Sequence, residues 1–317
     1  MKKRNRDKDG RFFNPWHGSD ISAGRYLQLI KWLVFSKNRY RAEKKKPVEF
    51  RMERPDFKGL DAIGKDYLVW LGHSTVFIRA GGKAIITDPI FWDINFLIRR
   101  KTGLPIRPED LPPVDYVLIS HGHFDHLNTR SIRFLHKRDD PVFIAGPGFE
   151  GYFKSVGAAR YIALDWWAAH TGDGVKITAL PVQHWSKRGF FDTNRMLWCS
   201  FLIESAGARY YWIGDTGYYE GFKEIGERLG PVDVLMAPVG AYEPRWFMQR
   251  FHVNPEEAVR IARDVGARLV IPIHWGTFDL TDEPLWLPIK RLKEIVDPDA
   301  GPPVKILNHG GHFIVRG

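Results

Sequence analysis

Four times in this chain a short apolar run stops at a side chain that can hold a metal ion. VDYVLIS runs into HGHFDHL at 121–127, KITALPVQ into His184, YYWIG into Asp215, and RLVIPI into His274. Runs like these, rich in β-branched and aromatic residues and bounded by Gly or Pro, read as strands. Functional groups gather on the loops that leave strands. Helical patterns fall between the strands, at 128–138, at 219–229, and at 254–265. The last begins Asn254-Pro255-Glu256-Glu257, a cap, a proline at the first helical position and a capping glutamate. TVFIRA and KAIITD, joined by Gly81-Gly82, read as a hairpin. VFIA, 175–181, 197–204, 208–213 and VDVLMAP complete the expected strands. Strands with helices interleaved predict a layered α/β fold.

SHGHFDHL places His121, His123, Asp125 and His126 within six residues. Four donors so close together cannot all reach one tetrahedral ion, so two ions sharing the loop is the natural arrangement. Their further ligands are expected at the other strand ends, His184, Asp215 and His274. Cys199 is the only cysteine, which excludes a thiolate site. Imidazoles with carboxylates suit zinc, ahead of iron or manganese. Two such ions polarise a substrate oxygen and acidify a water, so no side-chain nucleophile is required. Asp125, Asp215 and His252 are the expected catalytic groups, His252 as proton donor or phosphate contact just before the Asn254 helix start. His73 in LGHST is expected beside the ligands. Arg245 and Lys187 are candidates to balance phosphate charge. His17, His136, His170, His309 and His312 are expected to be structural.

Lys and Arg exceed Asp and Glu by 10, and all of the excess falls in residues 1–60, which hold 17 of the former and 7 of the latter. Such a segment suits nucleic acid or an anionic membrane surface. The charge lies far in sequence from the metal loops, so the membrane is the expected partner and nucleic acid is not. A helix at 21–37, started by Ser19 or Asp20, has an apolar face wide enough to dock on the domain or lie in a membrane interface. Its best apolar run, YLQLIKWLVF, contains Gln28 and Lys31 and has ten residues, half of the ~20 that span a bilayer. MKKRNRDKDGRFFN is followed by no apolar core, so no secretory signal is expected. The expected location is therefore cytoplasmic, peripheral on the inner face of a membrane. The chain divides into a basic extension, 1–60, and a catalytic domain, 61–317.

HGHFDH with a later His, Asp and His resembles the metallo-β-lactamase superfamily. Within it, WLGHSTVFI, ITDPIF, QHWSKRGFFDTN, GAYEPRWFM, HVNPEEAVRI and IHWGTF resemble the N-acylphosphatidylethanolamine-hydrolysing phospholipases D, over about residues 10–295. GRFFNPW fits the same pattern. The resemblance implies a four-layer αβ/βα sandwich with a dinuclear site between its sheets. It implies two Zn2+, one held by His121, His123 and His184, the other by Asp125, His126 and His274, with Asp215 bridging. It also implies that Asp88 braces the histidine loop from behind. His123 stands where redox di-iron relatives carry Glu, which favours hydrolysis. The implied reaction is cleavage of an N-acyl phosphatidylethanolamine-like phospholipid to an N-acylethanolamine and phosphatidate. Sister activities are the alternatives: a lactonase, or a small-molecule or nucleic-acid phosphodiesterase. A non-catalytic lipid-binding protein is disfavoured by the intact ligand set.

Overall fold

A computed structural model of the chain describes residues 5–16, 28, 31–32, 37–297 and 301–315. Of the helix expected at 21–37, all but Gln28, Lys31, Trp32 and Lys37 lies outside the described residues. Trp32 donates its indole N–H to Asp282 Oδ1 at 3.1 Å.

One sheet contains β1 (Tyr67–Gly72), β2 (Thr75–Ala80), β3 (Lys83–Thr87), β4 (Tyr116–Ile119), β5 (Val142–Ala145) and β6 (Tyr161–Ala163). The other contains β7 (Ala169–Gly172), β8 (Val175–Leu180), β9 (Ser200–Glu204), β10 (Arg209–Trp212), β11 (Val234–Pro238) and β12 (Val270–Ile273). The C-terminal β13 (His312–Ile314) returns to the first sheet, giving the orders β13-β1-β2-β3-β4-β5-β6 and β12-β11-β10-β9-β8-β7. Each sheet begins antiparallel and turns parallel, from β3 in the first and from β10 in the second. The helices are α1 (Phe57–Ala62), α2 (Thr129–Asp139), α3 (Glu150–Ser155), α4 (Gly221–Leu229), α5 (Arg245–Met248), α6 (Pro255–Asp264) and α7 (Leu287–Ile295).

Strand alternation sorts the apolar residues into layers. Val76 and Ile78 of β2 and Leu118 of β4 face the second sheet, with Ile177, Phe201 and Trp212 in the same core. Their neighbours Phe77, Val117 and Ile119 point the other way, onto Ile132 and Leu135 of α2 and Phe153 of α3. The second sheet is covered likewise by α4, α6 and α7 through Phe222, Ile261 and Leu292. Two sheets face to face between two helical layers is the expected sandwich.

The hairpin at Gly81-Gly82 and the α6 start form as expected, the latter with both halves of its capping box. Other boundaries move. β8 stops at Leu180, four residues before His184, and β9 and β12 begin at Ser200 and Val270. His170 lies inside β7, and α3, α7 and β6 have no counterpart in the sequence reading. Among the described residues no helix is long and apolar enough to cross a membrane.

The N-terminal segment packs on the domain. Phe12 is buried in the inter-sheet core, and the Trp16 ring lies 4.6 Å from that of Tyr219. Asn14 donates to the carbonyl of His184 at 2.8 Å and accepts from the Trp198 indole at 2.9 Å.

Candidate metal centre

The loops that follow β3, β4, β8, β10 and β12 converge at one edge and carry the donors. Asp88, just past β3, is fully buried and accepts three hydrogen bonds: Ser120 N–H at 2.8 Å, Ser120 Oγ–H at 2.5 Å and His126 Nδ1–H at 2.6 Å. With its proton given to Asp88, the Ser120 oxygen accepts from His121 Nδ1–H at 2.8 Å. His184 Nδ1–H donates to the carbonyl of Phe251 at 3.0 Å. These bonds hold the proton of each ring on Nδ1 and leave the Nε2 lone pair of His121, His126 and His184 facing inward.

The inward atoms form two sets. His123 Nδ1 lies 2.8 Å from His121 Nε2 and 3.3 Å from His184 Nε2. In the second set, His126 Nε2 is 3.3 Å from Asp125 Oδ2, and His274 Nε2 is 3.1 Å from Asp215 Oδ1. Asp215 reaches both, with Oδ2 3.1 Å from His126 Nε2 and 4.0 Å from Nε2 of both His121 and His184.

A metal fits this arrangement. His126 Nε2, His274 Nε2 and Asp215 Oδ1 are buried and have no hydrogen-bond partner, although they crowd within a few ångströms. Orphaned buried polar atoms are costly, and cations shared among them remove that cost. Imidazole and carboxylate donors without thiolate suit zinc. The electrostatics divide the rings: against burial, the carboxylates of Asp215, Asp125 and Asp88 hold the pKa of His126 well above the usual value, so a cation on its Nε2 must displace a proton. Burial lowers the pKa of His121 and His184 well below the usual value, which keeps them neutral as ligands must be. Burial works against the charged form of Asp215 too, but His126, His274 and His252 hold its carboxyl well below the usual range.

The edge is strained. His73, Asp88 and His274 have φ of +52°, +31° and +62°, conformations that non-glycine residues keep only when their surroundings fix them. The His73 carbonyl accepts from His274 N–H and from the Trp70 indole, both at 2.9 Å. Its N–H donates to Thr277 Oγ1 at 2.7 Å, and that hydroxyl lies 3.0 Å from His309 Nε2. So held, His73 sets Nε2 3.1 Å from Asp125 Oδ2, beside the ligands. His309, expected to be structural, is buried at the far end of this chain. A Cβ on Gly240 would sit 2.2 Å from the His274 carbonyl, so only glycine allows these loops to touch.

His252 Nδ1 lies 3.8 Å from Asp215 Oδ2, its ring 5.4 Å from that of His184, and burial lowers its pKa to about 4. Arg245 is turned away from the donors. It makes two 2.9 Å contacts with Glu257 and donates to the His252 carbonyl at 2.8 Å. Lys187 is half-buried on the loop after β8. Sequence reasoning missed Ser120, Thr277 and the Phe251 carbonyl, for which residue type carries no signal.

Residues 83–275 match a family described as "Beta-lactamase superfamily domain". The chain is 36% identical to N-acyl-phosphatidylethanolamine-hydrolyzing phospholipase D 1 of Caenorhabditis elegans, with 73% of this chain and 70% of that protein covered. It is also 36% identical to the mitochondrial N-acyl-phosphatidylethanolamine-hydrolyzing phospholipase D of Saccharomyces cerevisiae, with 73% of this chain but only 52% of that protein covered. Among solved structures, Igni18, a metallo hydrolase from Ignicoccus hospitalis, has a similar fold. It superposes with a TM-score of 0.61 at 21% identity, covering 80% of this chain and 99% of that one.

Proposed function

The chain belongs to the β-lactamase superfamily and is a metal-dependent hydrolase of that fold, and from this premise we propose that it is a dizinc phosphodiesterase acting on N-acyl phosphatidylethanolamines. The products would be an N-acylethanolamine and phosphatidate. The observation that carries the proposal is the division of seven converging donors into two sets that share Asp215. The substrate class is that in the names of the two phospholipase relatives.

Two divalent ions held by these sets would supply Lewis acidity to a phosphoryl oxygen and acidity to a water. The chain's own groups then position and stabilise. Asp215 ties the two sets at a fixed spacing. His73 orients Asp125, and Asp88 orients His126 and, through Ser120, His121. His252, neutral through burial, offers a ring hydrogen bond to a phosphoryl or leaving oxygen. Arg245 supports this by fixing the His252 carbonyl, a role behind the phosphate rather than on it.

Metal analysis combined with assays on an N-acyl phosphatidylethanolamine, bis(p-nitrophenyl) phosphate and a lactone tests the reading. Two zinc ions per chain and turnover of the phospholipid are expected. Turnover of the lactone alone overturns it, as does undiminished hydrolysis by Asp125→Ala or His274→Ala.

A further inference from the structure

Arg188, on the loop after β8, reaches across to the donor loop that follows β4 in the other sheet. Its Nη1 donates to the Gly122 carbonyl at 3.1 Å and to the Leu127 carbonyl at 2.8 Å, and Nη2 donates to Thr129 Oγ1 at 3.3 Å. Gly122 and Leu127 bracket His123, Asp125 and His126. Phe124, between the two ends, holds its ring centre 4.4 Å from the guanidinium carbon. One planar group therefore touches the donor loop at both ends and in the middle.

Both sides of this contact are tied down. The turn that carries Arg188 is closed by Asn194 N–H to the Ser186 carbonyl at 2.8 Å. Its Asp192 carboxylate accepts from Arg188 N–H at 3.1 Å and from Gly189 N–H at 2.8 Å. On the facing loop, Gly122 N–H donates to Ser186 Oγ at 3.0 Å, an approach that only glycine allows, since a Cβ there would sit 2.6 Å from that oxygen. Within the loop, the His123 carbonyl accepts from His126 N–H at 3.2 Å and from Leu127 N–H at 2.8 Å. The guanidinium spans the two ends of that turn.

Charge alone does not account for an arginine here. The partners of the half-buried guanidinium are carbonyls, a hydroxyl and the rings of Phe124 and Tyr152, not carboxylates. Burial lowers its pKa, and it stands close enough to Asp125 to feel that charge. A cation so near two metal sites repels what they bind. What arginine offers instead is shape, a fixed planar fork that lysine lacks. We propose that Arg188 is a positioning residue of the metal centre: by spanning the Gly122 and Leu127 carbonyls it fixes the spacing of His123, Asp125 and His126, and with it the separation of the two donor sets. The proposal deepens the dizinc reading above and rests on it.

The test is the zinc affinity of the full chain, read with a competing chelator, for Arg188→Met and Arg188→Lys, together with the visible absorption of the cobalt-substituted protein. The sign separates shape from charge. Loss of a repelling cation alone would tighten zinc binding in Arg188→Met and leave Arg188→Lys unchanged. Loss of the span should weaken zinc binding about 10–100-fold in both variants and shift the cobalt bands, which follow ligand geometry. Arg188→Lys keeps the charge and most of the stem, so it carries the test if Arg188→Met does not fold. Native zinc affinity and native cobalt bands in Arg188→Lys overturn the proposal, as does tighter zinc binding in Arg188→Met. Weakened zinc binding in both variants, beside a native chain that turns over no phospholipid, leaves the positioning role standing and removes the proposed function. Phospholipid turnover by the native chain, with metal binding unchanged in Arg188→Lys, does the reverse.

Discussion

Asp215 faces both donor sets, so no neighbour can take its place. Asp215→Ala should abolish hydrolysis and lower bound metal, read by metal analysis after dialysis. Asp88 touches no inward atom, yet Asp88→Asn should weaken metal affinity or activity by about 10–100-fold, because the ring tautomers of His126 and His121 depend on it. A competing chelator measures that loss. Thr277 separates a hydrogen bond from packing. Thr277→Val leaves the buried His73 N–H unpartnered and should destabilise by about 1–3 kcal/mol in denaturant unfolding, whereas Thr277→Ser should retain most of the stability. The seven donors were legible because each pairs a ligand-type side chain with a strand end. The placement of their protons was not. His184 takes its partner from Phe251 and His126 from Asp88, at sequence separations of 67 and 38, and no local pattern encodes such distances.

The loops after β11 and β12 are joined by Glu283, whose carboxyl accepts the N–H groups of Tyr242 and Glu243, both at 3.1 Å. Burial pushes its pKa from 4.5 up to about 7. The folded chain therefore keeps a proton at pH values where the unfolded chain has lost it. The stabilising effect is complete below about 4.5 and is lost as pH rises through about 7. Glu283→Gln removes this dependence. Its stability relative to the native chain should rise by about 1–3 kcal/mol between about pH 5 and 8, measured as the difference between two unfolding curves. Only the slope matters, since glutamine also forfeits one acceptor. Elements with local signals, the Gly81-Gly82 hairpin and the capped α6, were legible. β7, with the sequence AHTG, was not, because it becomes a strand only by pairing with the edge of β8. α7 begins at Leu287 without a side-chain cap, and Pro288 in its first turn is the one local mark of its start.

Residues 5–16 complete the core even though they contain no helix or extended strand. Deleting residues 1–16 removes buried Phe12 and the hold of Asn14 on the His184 carbonyl. A loss of about 3 kcal/mol or more is expected in urea unfolding, with weaker metal retention. Metal and fold are linked in the other direction too. With free metal at about 100 times its dissociation constant, binding stabilises by about 2.7 kcal/mol, so stripping it should lower the melting temperature by about 4 °C, reversed by added zinc. The layered α/β class was legible in the interleaving of strands and helices, whereas the four-layer sandwich was implied only by the family resemblance. The split of the donors between two sheets also sets a timetable. During synthesis His121 emerges 153 residues ahead of His274, an interval of about 8–30 s at ordinary translation rates. The early histidines wait as an incomplete chelate, and the second set can close only when the last parallel strand arrives.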